Sequence, residues 1–127
     1  MNGDRELLEL AALAGGYLQT LERIYSVSPA GTHVDYVKRR YWESGREYRE
    51  YWNPLYNDGD ALRLAVKLGL PILRTHTAYG DYWSASIGYP ISDTRLQYVH
   101  EALGADPNAA TRRAIVRAAA EIGRGMP

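Results

Sequence analysis

The 127-residue chain has no cysteine and no phenylalanine, and it carries no excess of either charge, with 15 Lys+Arg against 15 Asp+Glu. Without cysteine there is no disulfide framework, no cysteine zinc site and no thiol nucleophile. A formal net charge of zero removes the strongly basic footprint of a general nucleic-acid binder, although a local basic patch survives that argument. No apolar run approaches the roughly 20 residues needed to span a bilayer, so no membrane partner is expected. The start, Met1-Asn2-Gly3-Asp4-Arg5-Glu6, is polar and acidic and lacks the basic and apolar regions of a secretory signal. A soluble, cytoplasmic protein is the expectation. Its length suits one domain, which at this size buries roughly 65–70% of the surface exposed by the unfolded chain.

What the chain has is aromatic surface of a particular kind: 11 Tyr and three Trp. Nearly every ring therefore carries a polar handle, and such rings favour half-buried positions over a dry core. Four blocks organise the chain. In the first, Asp4 reads as a helix N-cap and Gly15-Gly16 as the stop, with Leu7, Leu10, Ala11 and Ala14 at helical spacing and Leu8 and Ala12 widening the stripe. The second, Tyr17 to Trp52, is rich in strand-forming residues punctuated by Ser28-Pro29-Ala30-Gly31 and Glu43-Ser44-Gly45-Arg46, which reads as two or three antiparallel strands. Strict alternation puts Val34, Tyr36, Lys38, Arg40 and Trp42 on one face of Val34–Glu43, and Asp35, Val37, Arg39, Tyr41 and Glu43 on the other. Neither face is purely apolar, so this hairpin is expected to project at least partly into solvent.

The third block places a short helix over Ala61–Leu68, with acidic residues in front, Lys67 near its end and Gly69 as C-cap. A second hairpin follows, Leu70–Thr77 and Asp81–Ile87 around Ala78-Tyr79-Gly80, whose Ile72, Trp83, Ala85 and Ile87 are expected to face a core. Leu96, Tyr98 and Val99 let Arg95–Leu103 fit either strand alternation or a short helical turn, with strand the reading preferred. In the fourth block Asp106 caps a helix with Pro107 at its first position. That helix runs over Ala109–Ile122 to Gly123, with Thr111, Ile115, Ala118 and Ile122 as its stripe and Ala114 and Ala119 beside it. The fold class expected is α+β, a single domain over residues 1–127, in which an antiparallel sheet of hairpins packs with a short N-terminal, a middle and an Ala-rich C-terminal helix.

Catalytic patterns are scarce. His33, His76 and His100 are scattered among predicted strands without zinc-protease spacing, and no Gly-x-Ser-x-Gly elbow or Walker loop occurs. Asp58-Gly59-Asp60 resembles part of a calcium loop, but Ala61-Leu62-Arg63-Leu64 lacks the oxygen ligands such a loop needs, and helix capping explains it better. No cofactor or metal is expected. A small nucleotide hydrolase stays open because paired carboxylates need only meet in space.

The feature above background is aromatic and cationic interleaving: Tyr36, Lys38, Arg39, Arg40, Tyr41, Trp42, then Arg46, Tyr48, Arg49, Tyr51, Trp52. Aromatic faces stack on flat ligands while guanidinium groups fork onto phosphate. The same residues anchor protein interfaces, and they also suit a solvated hairpin whose charges pair with Glu43, Glu47 and Glu50. The candidate ligand-binding residues are Arg39, Arg40, Tyr41, Trp42, Arg49, Tyr51 and Trp52, joined by Tyr79 and Trp83 of the second hairpin. Exposed Trp and Tyr beside Arg leave a patch that self-association would cover, so a homo-oligomer, a dimer, is expected.

Two segments carry a resemblance. Trp52-Asn53-Pro54-Leu55-Tyr56-Asn57-Asp58-Gly59-Asp60-Ala61-Leu62-Arg63-Leu64-Ala65-Val66-Lys67-Leu68 and Ala109-Ala110-Thr111-Arg112-Arg113-Ala114-Ile115-Val116-Arg117-Ala118-Ala119-Ala120-Glu121-Ile122-Gly123 resemble small uncharacterised proteins encoded by phages and prophages of proteobacteria, and Leu7-Leu8-Glu9-Leu10-Ala11-Ala12 is similar to their opening. The ordering of elements is more loosely similar to phage proteins of the NinX type. The resemblance implies a non-enzymatic phage accessory protein in the cytoplasm of the infected bacterial host and supplies no catalytic residues. The expected function is a counter-defence binder that sequesters a nucleotide-type immune signal. The alternative is an interaction module that binds a host defence protein, or another host or phage protein, to regulate replication, transcription or defence. Tight binding to duplex nucleic acid is not expected.

Overall fold

The structure is a computed structural model that describes residues 3–77 and 80–127. In chain order the elements are α1 (Gly3–Gly15), β1 (Glu22–Ser28), β2 (Gly31–Glu43), β3 (Arg46–Tyr51), α2 (Asp58–Leu68), β4 (Ile72–Thr77), β5 (Tyr82–Pro90), β6 (Leu96–Ala102) and α3 (Pro107–Arg124). The chain is thus α+β. Its strands divide between two antiparallel sheets, β1-β2-β3 and β4-β5-β6. Within the segment that fits either a strand or a helical turn, Leu96–Ala102 is strand. None of the described helices is long and apolar enough to cross a membrane.

The centre of the molecule is α3. Asp106 caps it by accepting from the Ala109 N–H at 3.1 Å, and Pro107 opens the first turn, where its missing N–H costs nothing. A single stripe was expected, yet Ala114, Ile115 and Val116 are all buried in succession, and so are Ala118, Ala119 and Ala120. A helix apolar on nearly every side must be surrounded, and α3 packs against α1, α2, β5 and β6. Thr111 and Ile122, placed in the stripe, are only partly buried. Gly123 does not end the helix, which continues to Arg124. It is a contact point, since a Cβ there would run into the Leu10 carbonyl of α1.

Arginines leave α3 in four directions and fasten the surrounding elements to it. Arg112 donates to the Leu55 carbonyl at 2.8 Å and to Asp58 at 2.6 Å, and Arg113 to Asp4 at 2.8 Å. Arg117 pairs with Glu101 of β6, and Arg124 reaches Glu6 of α1 at 3.0 Å. Asp4 is therefore not the N-cap expected of it. It lies inside a helix that already includes Gly3, and its carboxylate serves α3 instead.

On α1 the buried residues Leu8, Ala11, Ala12 and Gly15 follow helical spacing, and Gly16 stops the helix at φ 76°. Asn57, rather than an aspartate, caps α2, accepting from the Asp60 N–H at 2.8 Å, while Asp58 and Asp60 occupy the first turn. Gly69 closes α2 in the left-handed region at φ 67°.

In the second sheet α3 packs chiefly against β5 and β6. Ala85 and Ile87 accordingly face the core, whereas Ile72 and Trp83, expected beside them, are 44% and 45% exposed. Ser86 is fully buried and sits in a cross-strand chain, 2.7 Å from Thr75 Oγ1 and 2.6 Å from His100 Nδ1. Its burial withholds the hydroxyl from any substrate, so this serine–histidine pair serves sheet packing. Among the aromatics, Trp52 and Tyr36 depart from half-burial. They are 4% and 3% exposed and meet edge to face at 6.3 Å, with Tyr17 against Trp52 at 5.5 Å.

Candidate functional site

The first sheet is built on one long strand. β2 spans 13 residues, with β1 paired to its first half through Glu22↔Val37 to Ser28↔Gly31, and β3 to its second half through Val37↔Tyr51 to Glu43↔Arg46. The result is two hairpin arms leaving a common middle in opposite directions. Tyr36 and Val37 at that middle are buried, and residues 38–49 are exposed apart from half-buried Tyr41. The second arm, residues 39–51, is the aromatic and cationic segment.

Its tip and root are both set by local chemistry. Ser44 and Gly45 adopt φ 54° and 77°, a two-residue turn whose twist matches that of paired strands. At the root the register shifts between Val37 and Arg39, leaving Lys38 as a bulge. Lys38 Nζ donates to Asp60 Oδ1 at 2.8 Å. Asp60, 2% exposed, also accepts from Arg63 at 2.8 Å and from the Asn53 N–H at 2.9 Å. Burial pushes the Asp60 carboxyl up, but Lys38, the Asn53 amide and Arg63 together outweigh it and hold the group below its ordinary value. The bulge is thus tied to α2 by a buried ion.

The bulge also redistributes the faces. Strict alternation put Val37 with Arg39 and Tyr41. Pairing to Tyr51 places it instead on the side of Arg40, Trp42, Glu47 and Arg49. Glu22, opposite Val37, confirms this side by accepting from Arg40 Nε and Nη2 at 2.7 and 2.6 Å. Arg40 Nη1 donates to Glu47 at 2.7 Å. Glu22 is held below its ordinary pKa chiefly by that bond from Arg40, and Arg40 is raised chiefly by Glu22 and Glu47. Trp42 on this face is 72% exposed and Tyr51 49%. On the opposite face Tyr41 and Tyr48 stack at 5.5 Å, Arg39 lies 5.0 Å over Tyr41, and Arg39 donates to Glu50 at 2.7 Å.

The candidate residues therefore separate. Arg40, Trp42, Arg49 and Tyr51 share one face of the arm, and Arg39 and Tyr41 share the other. Trp52 belongs to neither. One residue past β3, it turns into the core, and its N–H bonds the Tyr36 carbonyl at 2.7 Å. Trp83 lies on the second sheet, with Arg74 4.7 Å over its ring and His76 at 5.0 Å. Tyr79 lies outside the described residues.

Glu9, Arg23, Lys38 and Asp60 hold the arms to the helices. Of these, only Lys38 stood in the aromatic and cationic segment. Glu9 receives both Arg23 Nε and Nη2, at 2.8 and 2.7 Å, and the Tyr36 hydroxyl at 2.6 Å. Arg23 is the main reason the Glu9 carboxyl lies below its ordinary value, while burial and then Glu9 push Tyr36 well above its own. Partners 14 to 27 positions apart leave no trace in spacing.

A cleft of about 520 Å³ lies between the first arm, α1 and the 53–56 turn, lined in part by Asp4, Arg5, His33, Tyr36, Asn53 and Tyr56. None of the arm candidates lines it. Of its charged residues, Asp4 is paired with Arg113 at 2.8 Å and the Arg5 guanidinium lies 5.7 Å over the Tyr25 ring. Among the described residues no group of three or more His, Asp or Glu could hold a metal ion. Comparison with known protein families, curated proteins and solved structures finds no match for the chain.

Proposed function

We propose that the chain is a non-enzymatic interaction module that docks on a partner protein through the Trp42 face of its second arm. The observation that carries this reading is Trp42, left 72% exposed on a ribbon whose root is fixed by the Lys38–Asp60 pair. Trp, Tyr and Arg on a pre-organised support are the usual anchors of protein interfaces. Burying a side chain of this kind contributes roughly 1.5–3 kcal/mol.

A nucleotide-type ligand fits the arm less well. The face is open, without the enclosing walls of a small-molecule site. Of its guanidinium groups, Arg39 is engaged by Glu50 and Arg40 by Glu22 and Glu47, which leaves a phosphate Arg49 alone on the Trp42 face. The resemblance to small phage and prophage proteins supports a host or phage protein as the partner, met in the cytoplasm of an infected cell and regulated or blocked by binding.

A photoactivatable residue at position 42 tests the proposal in bacterial cells, with the equally exposed Val66 on α2 as control site. The expected result is attachment of a discrete protein from position 42 but not from 66, weakened by Arg49→Ala. Attachment of the same proteins from both positions, or of none, would contradict it.

A further inference from the structure

Among the described residues the outer edge of β3 is an unpaired row of backbone donors and acceptors, since the sheet order is β1-β2-β3. Which residues point outward follows from the turn. In a two-residue hairpin the closing pair, Glu43↔Arg46, exchanges hydrogen bonds, and the pattern alternates from there. Arg46, Tyr48 and Glu50 therefore bond inward to β2. Glu47 and Arg49 present their N–H and C=O outward.

The sequence along that edge is Arg46-Glu47-Tyr48-Arg49-Glu50. We propose that β3 pairs antiparallel with β3 of a second copy of this chain, about a two-fold axis at Tyr48, to form a six-stranded sheet through both subunits. Opposed residues must agree in phase, outward against outward, which admits two-fold axes only on residues and not between them. An axis on Glu47 opposes Glu47 to itself, and an axis on Arg49 opposes Arg49 to itself. The axis on Tyr48 opposes Arg46 to Glu50, Glu47 to Arg49, and Tyr48 to Tyr48. By symmetry that makes four Arg–Glu pairs across the edge.

The single chain leaves the matching deficits. Arg40 stands directly opposite Arg49, a like-charge pair that Glu22 and Glu47 neutralise mainly at Arg40. Arg49 has Glu47 only at 3.9 Å, and Arg46 has no ion pair among the described residues. The second copy's Glu47 and Glu50, each bonded through Oε1 to one arginine of its own chain, keep acceptor sites on Oε2 for these two arginines. Edge pairing leaves both faces of the sheet open, so the inference goes beyond the proposed function and stands without it: the dimer presents two Trp42 faces side by side.

Sedimentation of the full chain, with crosslinking through one introduced cysteine, tests this. The wild type should sediment at twice its 14.3 kDa mass. Because the chain has no cysteine of its own, Tyr48→Cys should form an interchain disulfide on oxidation: residues on the axis form a non-hydrogen-bonded pair about 4.5 Å apart at Cα, within disulfide reach. Arg46→Cys and Glu50→Cys, each two residues from the axis, should not. Arg46→Glu and Glu50→Arg should each sediment as monomers, and their equimolar mixture should recover the dimer mass, a readout independent of the Tyr41–Tyr48 stack. A wild-type monomer at about 0.1 mM, well above the Kd range of specific dimers, would overturn the proposal. So would crosslinking at 46 or 50 in place of 48, or a mixture that stays monomeric.

Discussion

Replacing Asp60 with Asn takes one negative charge from a site that holds two cations and a backbone amide. The new side chain keeps an acceptor for the Asn53 N–H, now at 2.9 Å from Oδ2, but turns an amide donor toward Lys38 and Arg63, both 2.8 Å from Oδ1. Each charge-assisted bond is worth about 1.5–3 kcal/mol where water is excluded. Here the discount is substantial, because the Lys38 side chain is 32% exposed and that of Arg63 is 63% exposed, so both swing into water once released. A loss of about 2–3 kcal/mol results, below the ~3–5 kcal/mol of breaking a fully buried pair. In thermal unfolding that is a drop of roughly 6–15 °C, and amide exchange should rise along the β2–β3 ladder as the bulge comes free. The pH dependence has a definite sign. The folded-state pKa of Asp60 lies below its unfolded value, so the contribution is complete above about pH 4 and is lost as pH falls through the folded value. The stability gap between wild type and Asp60→Asn should therefore be widest near neutrality and close in acid. A gap under about 0.5 kcal/mol at pH 7, the size of an ordinary surface substitution, or one that persists undiminished in acid, would refute the anchoring role.

Ile115→Ala on the central helix, where the side chain is 3% exposed, should cost about 2–5 kcal/mol in chemical denaturation; a cost below about half a kilocalorie, typical of a surface site, would mean that α3 is docked differently. Gly123→Ala should destabilise by about 1–3 kcal/mol, although alanine favours a helix by about 1 kcal/mol, because the new Cβ meets the Leu10 carbonyl; a raised Tm would contradict the close crossing of α1 and α3. Titration with labelled duplex and single-stranded DNA near physiological salt should show only weak binding, as equal numbers of acidic and basic side chains predict; submicromolar affinity that falls steeply with added salt would overturn this.

Elements governed by local chemistry were legible in the sequence. The turn at Ser44-Gly45, the Asp106-Pro107 entry to α3 and the Gly69 exit from α2 each need a particular residue at a particular φ or cap, and the chain supplies it. What required the third dimension was hidden for identifiable reasons. Alanine counts as apolar without marking a face, so the all-round burial of α3 looked like one stripe. The Arg-Glu-Tyr triplet repeated along β3 runs unbroken into Trp52, and nothing local says that the chain leaves the arm there for the core. A bulge is a one-residue change of phase, and at Lys38 it moves Val37 to the face of Arg40 and Trp42. Asp60 read as a helix-start acid, because its partner Lys38 lies 22 positions away. Composition singles out the arm residues as aromatic and cationic, but it does not show how they divide between two opposed faces.

The most direct test of the interaction reading is native mass spectrometry of the tagged chain purified from bacterial cells, beside the double variant Trp42→Ala/Arg49→Ala. Both positions are exposed and outside the core, so the variant should fold as the wild type does. The account predicts a second protein, of fixed mass other than the chain's own 14.3 kDa or its double, bound to the wild type and absent from the variant. A retained mass of nucleotide size, or a protein other than a second copy of the chain held equally by both, would contradict it.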